Sequence, residues 1–304
     1  MRIGFGAPGA GARATPGNLA IIAREAEAAG YASLWTFQRL LVPEPNDMAA
    51  VYQSALDPLV TLGYAAAVTR RIRLGVAVVN MPFVSPAYLA KQAATLDVLS
   101  EGRLDLGLGL GWLPEEFTVS GATMAGRGAR TAEYLRVLRG FWAGVAEFSG
   151  EHYPVPASRM SPPPAQRPGP PVLLGGLAPA ALRRAGRLAD GWVTSSRTDL
   201  SRISEQIAVV RGAAAESGRD PDQLRVVCRG VVRPGGQPET GGGRHPLAGG
   251  YAEIRAGTEW LAGQGVTEVF YDLNWDPLIG SPDVDPAAAM DRAREILASL
   301  APDG

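Results

Sequence analysis

Val172-Leu-Leu-Gly-Gly-Leu-Ala-Pro-Ala-Ala-Leu-Arg183 reads as a short apolar strand, a glycine turn and the opening of a helix at Pro179. This unit recurs along the chain. Strand patterns are expected at Arg2 to Gly6, Ser33 to Thr36, Ile72 to Val79, Leu104 to Gly109, Val172 to Leu174, Gly191 to Thr194, Leu224 to Val232 and Thr267 to Leu273. Helical stretches lie at 16 to 29, 58 to 69, 86 to 99, 127 to 142, 179 to 189, 199 to 217, 251 to 263 and 286 to 300. Thr15-Pro16, Asp57-Pro58, Ser85-Pro86 and Asp285-Pro286 each set a side-chain acceptor before a proline, the pattern of a capped first turn, while Asp220-Pro221 is expected to make a turn. Successive βα units imply parallel strands with right-handed crossovers. Eight in 304 residues fit an α/β chain folded as one (β/α)8 TIM barrel over residues 1–304, with a doubly wound open sheet as the alternative.

Two segments interrupt the repeat. Residues 150–171, after the fourth helix, hold eight prolines and are expected to form a lid or wall over the barrel mouth. Residues 233–250, after the seventh strand, hold seven glycines and three prolines and are expected to be mobile.

Composition removes several chemistries. The 38 glycines and 25 prolines make about a fifth of the chain against roughly 12% in an average protein. With 46% hydrophobic residues and a net charge of −1, that excess means many turns rather than disorder. Two histidines exclude a His-cluster metal site, and no metal is expected. Lys91 is the only lysine, so a Walker loop is absent. A single cysteine excludes an intrachain disulfide. Charge balance argues against nucleic acid as a partner, and no apolar run is long enough for a membrane span. A cytoplasmic location is the expectation.

Gly4-Phe-Gly6-Ala-Pro-Gly9 imitates a dinucleotide fingerprint, but Pro8 intervenes and the helix begins only near Pro16, so its dipole cannot meet a pyrophosphate. Leu106-Gly-Leu-Gly-Leu-Gly111-Trp112 alternates with period two, and its glycines open a side-chain-free wall for a flat ring, for close backbone approach or for tight helix packing. The turn after Val172 to Leu174, with Ser195 and Ser196 after the sixth strand, is a generic phosphate cradle. Asn80 ends the third strand, as a turn residue or as an amide for a polar ring edge. Cys228 sits inside a strand pattern and reads as a buried, inert thiol. Arg127 and Arg130 read as a helix-surface network rather than an anion site.

Taken together, Gly75-Val-Ala-Val-Val-Asn80, Pro86-x-x-Leu-Ala-Lys91, Gly107-Leu-Gly-Leu-Gly111-Trp112 with Glu115-Glu116, Pro171-Val-Leu-Leu-Gly-Gly176 and Ala189-Asp-Gly-Trp192 resemble the luciferase-like monooxygenase family, and within it the branch using the deazaflavin coenzyme F420. The resemblance implies a barrel with the ring at its C-terminal mouth, backed by a non-prolyl cis peptide at Ala77-Val78. It implies that the cofactor phosphate meets Gly175, Gly176, Leu177 and Ala178, the helix start Pro179, Ala180 and Ala181, and Ser195 or Ser196. Asn80, Trp112 and Glu115 would line the ring and substrate pocket.

One departure bears on mechanism. Where relatives of this branch often carry Asp-His after the second strand, this chain reads Phe37-Gln38-Arg39. An arginine stays protonated and cannot replace a histidine base. The expectation is hydride transfer from reduced F420 to an activated C=C, C=N or C=O group of a small-molecule substrate, with Gln38 or Arg39 binding substrate or coenzyme and Glu115 as proton donor. The alternatives are an FMN-dependent monooxygenase fed by a separate reductase, and a non-catalytic flavin-binding relative. The resemblance also implies a homodimer.

Overall fold

A computed structural model describes residues 1–236 and 245–302. Eight parallel strands close into a barrel: β1 (Arg2–Gly6), β2 (Ser33–Thr36), β3 (Arg73–Asn80), β4 (Leu104–Gly109), then β7 (Val172–Gly175), β8 (Gly191–Val193), β9 (Arg225–Val231) and β12 (Glu268–Asp272), with β12 pairing back onto β1. The (β/α)8 TIM barrel is therefore the fold, and the open sheet is excluded by the Arg2 to Glu268 register that seals it. Helices α1 (Pro16–Ala28), α3 (Pro58–Val68), α4 (Pro86–Leu99), α6 (Thr131–Trp142), α7 (Pro179–Leu188), α8 (Ile203–Glu216), α9 (Tyr251–Gly263) and α10 (Pro286–Ser299) alternate with the strands.

Four of the proline-opened helices are capped as their sequences imply: Thr15, Asp57, Ser85 and Asp285 each accept a first-turn N–H. Such caps contribute about 1 kcal/mol apiece. Asp220 instead caps a single 3-10 turn before β9. The outward faces of the strands carry Leu34, Leu74, Leu106, Leu108 and Trp192, fully buried under alanine-rich helix faces such as Ala23, Ala65, Ala90, Ala93 and Ala185. Small residues there let the helices sit close to the sheet, and each buried leucine contributes about 1.5–3 kcal/mol.

Inside the barrel the strand period stacks three layers. At the N-terminal end lie Ser33, Arg73, Asp105, Arg225 and Glu268, joined by hydrogen bonds of 2.6–3.0 Å. The middle layer is apolar, with Trp35 stacked on Phe270 at 5.0 Å beside Leu173 and Val227. Gly75 makes room for that indole, since a Cβ there would lie 2.4 Å from the ring. The uppermost layer holds Ala77, Val193, Arg229 and Asp272.

The proline-rich excursion lies at the opposite end from its expected place. Val145–Phe148 (β5) and Val155–Arg159 (β6) form an antiparallel hairpin. Residues 160–171 then run beneath the N-terminal end of the barrel, where Gln166 bonds both Asp97 carboxylate oxygens and the Leu104 carbonyl, and accepts from Arg73. The reason is topological: a chain leaving a barrel helix is already at the N-terminal end, where the next parallel strand must begin. The segment is a floor and not a lid. In the glycine-rich loop, Arg233–Pro234 (β10) pairs with Ala248–Gly249 (β11), and of the stretch 233–250 that was expected to be mobile, residues 237–244 lie outside the described residues. Two short helices went unread in the sequence, α2 (Ala50–Gln53) and α5 (Pro114–Val119). At four and six residues they are too short for a helical period to register. No helix among the described residues is long and apolar enough to cross a membrane.

Candidate functional site

A cavity of about 570 Å³ opens at the C-terminal ends of the strands. Ala77, Val78, Gly109, Gly175 and Val193 line it with small or apolar groups, and the Ala77–Val78 peptide is cis. The leucine–glycine alternation of β4 serves close approach of β3: a Cβ on Gly107 would lie 2.1 Å from the Val76 carbonyl oxygen, and one on Gly109 would lie 2.4 Å from a Val78 methyl. The last glycine of the run, Gly111, instead packs against Phe83 and against Phe117 of α5.

The loops after β2, β3 and β4 are tied through Asn80. Its N–H donates to Gln38 Oε1 at 2.8 Å, and its Oδ1 accepts from the Gly111 N–H at 3.0 Å. Both Gln38 and Asn80 line the cavity with their amides partly committed to this tie.

Arg39 is also on the wall, but its charge is compensated. Its side chain is 5% exposed, lies 3.0 Å from Glu116, and sits between the rings of Tyr52 and Trp112 at 4.5 and 4.8 Å from their centroids. Glu116 also accepts the Leu40 N–H at 2.8 Å. Glu115, expected at the pocket, is exposed on the first turn of α5 and does not line the cavity. The helix turns Glu116 and Phe117 inward together, so the burial of Phe117 was the available signal for which glutamate faces the protein. Trp112 lines the cavity while remaining 44% exposed.

Sequence reasoning missed Arg229, which lies on the inward face of β9 between Val227 and Val231. Its Nε donates to Asp272 at 2.6 Å and its Nη1 to the Ala77 carbonyl at 3.4 Å. Asp272 is braced by Asn274, which accepts from Arg13 at 3.1 Å. Burial pulls the Arg13 guanidinium down to about 10 against the pull of Asp272 and Asp276, so it remains a cation at neutral pH. Strand alternation was the signal: Arg225, Val227 and Arg229 share the inner face.

After β7 the chain makes a glycine turn into the start of α7. Gly176 has φ +133, a conformation that favours glycine, and its carbonyl accepts from Trp192 Nε1 at 3.0 Å. Helix α7 begins with no side-chain cap, in contrast to α1, α3, α4 and α10. Leu177, Ala178, Ala180, Ala181, Ser195 and Ser196 border the cavity, whereas Pro179 does not. Ser195 Oγ accepts the Arg197 N–H at 3.2 Å, which leaves its proton available to an acceptor in the cavity.

Three further arginines reach the cavity: Arg127, Arg184 and Arg197. None has a carboxylate within ion-pair distance among the described residues, and Arg127, expected in a helix-surface network, lines the cavity. Among the described residues lining the cavity there is no carboxylate, histidine, lysine or cysteine. Cys228 is fully buried outside it, its thiol pushed up to about 12 by burial.

Fold and cavity together define a TIM barrel with a cavity at its C-terminal mouth, lined by the start of α7 and by arginines. The family follows from sequence: the description of the luciferase-like monooxygenases matches residues 2–239, and the chain belongs to that family. An uncharacterised protein of Mycobacterium tuberculosis is 35% identical over 219 residues, 68% of this chain and 75% of the relative. Among solved structures, a monooxygenase from Streptomyces bottropensis superposes with a TM-score of 0.79 at 23% identity, covering 99% of this chain and 98% of that one. An F420-dependent secondary alcohol dehydrogenase, in complex with an F420–acetone adduct, superposes with a TM-score of 0.76 at 17% identity, covering 99% of each chain. At these identities the structures share the fold.

Proposed function

We propose that this protein is an oxidoreductase that transfers a hydride between coenzyme F420 and a small organic substrate. The carrying observation is a cavity with an apolar inner wall and an uncapped helix start, in which the lining residues described include no histidine, carboxylate, lysine or cysteine. A site so poor in acid–base and nucleophilic groups has to borrow its chemistry.

The residues present fit a flavin-like group. Ala77, Val78 and Val193 would back a planar ring, Gly109 and Gly175 would leave it room, and Asn80 and Gln38 would meet its polar edge. Leu177 to Ala181 and the hydroxyls of Ser195 and Ser196 would take the phosphate. Once bound, the deazaflavin supplies or accepts the hydride. The chain would bind, orient and exclude water: Trp112 lines the cavity with the guanidiniums of Arg39 and Arg197 4.8 and 5.4 Å from its ring centroid. Arg39 is a wall and binding group here and cannot act as base, which favours reduction of an activated C=C, C=N or C=O over alcohol oxidation. Glu115 lies outside the cavity, and the hydroxyl-bearing side chains that line it are Tyr52, Thr194, Ser195 and Ser196.

The FMN-dependent monooxygenase reading is favoured by the family description and by the Streptomyces neighbour. Fluorescence titration of the purified protein with F420 and with FMN separates the two. Micromolar or tighter F420 binding supports the proposal. Tight FMN binding without F420 binding, with oxygen consumed when reduced FMN is supplied, would replace it. Unchanged F420 affinity and turnover in both Ser195→Ala and Arg39→Met would reject the site assignment.

A further inference from the structure

Arg127 and Arg184 are not explained by the barrel. Arg184 projects from the second turn of α7, the helix that begins at the cradle, and no hydrogen bond or ion pair holds it among the described residues. Gly128 lets it pass: a Cβ there would lie 2.5 Å from Arg184 Nη2. Arg127, one residue earlier, donates to the Met124 carbonyl at 3.0 Å, rests 5.8 Å from the Phe117 centroid and leaves its buried Nε without a partner. The guanidinium of Arg184 is half-buried, and burial together with the like charge of Arg127 lowers its affinity for its proton. Two neighbouring cations that are partly desolvated and lack a carboxylate raise the free energy of the empty protein. An anion between them would lower it. Both line the cavity that also holds the cradle.

We infer that Arg127 and Arg184 form a second anion subsite, beyond the phosphate cradle, which holds the carboxylates of a cofactor tail. The inference rests on the functional reading above and deepens it, because FMN ends in one phosphate whereas F420 continues past its phosphate into glutamyl carboxylates. The cradle of Leu177 to Ala181 with Ser195 and Ser196 suffices for a phosphate. Arg184 belongs to the helix that starts at the cradle and Arg127 to the loop that Arg184 meets at Gly128, and both line the cavity that holds the cradle. Arg197, exposed over Trp112, is not part of the pair.

The test is a fluorescence titration of wild type, Arg127→Gln, Arg184→Gln and the double variant with three ligands: the deazaflavin carrying only its ribityl chain, the same compound ending in a 5′-phosphate, and F420 with its glutamyl tail. The expected result is that the tail adds about tenfold in affinity to wild type, as charge-assisted contacts of this exposure would. Each single variant should lose about threefold to tenfold on the tailed ligand while binding the phosphate-ended one within about twofold of wild type. Arg184→Lys should retain part of the increment, and salt of about 1 M, where the screening length is about 3 Å, should remove most of it. Equal losses on the tailed and phosphate-ended ligands would assign the arginines to the phosphate and overturn the inference, as would a tailed ligand bound equally by wild type and double variant. In both cases F420 still binds and the functional reading stands. Failure of the wild type to bind F420 at all would remove both. Unchanged melting temperatures of the variants exclude misfolding as the cause of any loss.

Discussion

Glu116→Gln is the sharpest probe of the barrel mouth. The substitution keeps shape and an acceptor for the Leu40 N–H but deletes the charge facing Arg39, a guanidinium only 5% exposed and 3.0 Å away. Removing one partner of a buried pair leaves an uncompensated charge, a loss of about 3–5 kcal/mol in a dry interior. Two effects reduce that here. The Tyr52 and Trp112 faces still hold the cation, each by about 0.5–2 kcal/mol, and Trp112 is itself 44% exposed, so water reaches the site. The expected loss is about 2–3 kcal/mol in urea denaturation with an unchanged m value. The neighbouring Glu115→Gln, on an exposed position, should cost less than about 0.5 kcal/mol. In a cycle with Arg39→Met the coupling should be about 2 kcal/mol, the double variant recovering much of the loss. Equal effects of the two glutamate substitutions, or a coupling under about 0.5 kcal/mol, would refute the pairing.

Three further expectations follow from the same structure. At the N-terminal end of the barrel, burial pushes the Asp105 carboxyl up, but hydrogen bonds from Arg73 and Arg225 outweigh it and hold the group below the ordinary value of 3.8. A depressed value means stability that is fully present above that ordinary value and lost as pH falls through the lower folded one. Asp105→Asn should therefore cost about 3–5 kcal/mol at pH 7, and its deficit against wild type should shrink below about pH 3.8; a deficit that grows with acid would contradict the sign. Gly109→Ala, whose Cβ would press on Val78 and Asn80, should cost about 1–3 kcal/mol and weaken cofactor binding. Gly63→Ala in α3, with open space around it, should instead stabilise by about 0.5–1 kcal/mol, so equal melting shifts of the two variants would be evidence against the close β3–β4 contact. Cys228, fully buried with its thiol at about 12, should resist thiol reagents at pH 8 until the protein is denatured; fast modification of the native protein would disprove its burial.

The strands and helices of the barrel were legible because their cues are local. Four Pro-preceding acceptors cap helices where the sequence places them, and Gly30 and Glu101-Gly102 leave helices in the left-handed conformation. The cradle at Gly175 to Ala181 was legible for the same reason, since strand, glycine turn and helix start are contiguous. The proline-rich segment was misplaced although the information was present: it follows a helix, and helix-to-strand connections lie at the N-terminal end of a parallel barrel.

By itself the sequence determined the period-two and period-3.6 patterns, the helix caps, the family motifs and the scarcity of histidine and lysine that points to a borrowed cofactor. Only the tertiary structure decided which charges are compensated. Arg39 and Glu116 are 77 positions apart, Arg229 and Asp272 are 43 apart, and Arg127 and Arg184, 57 apart, line one cavity. Barrel closure sets these distances, and Coulomb energy depends on separation and burial rather than on order along the chain. Glu116 rather than Glu115 faces inward for the same reason: neighbours in sequence differ by about 100° around a helix, and the packing of α5 against the mouth selects between them.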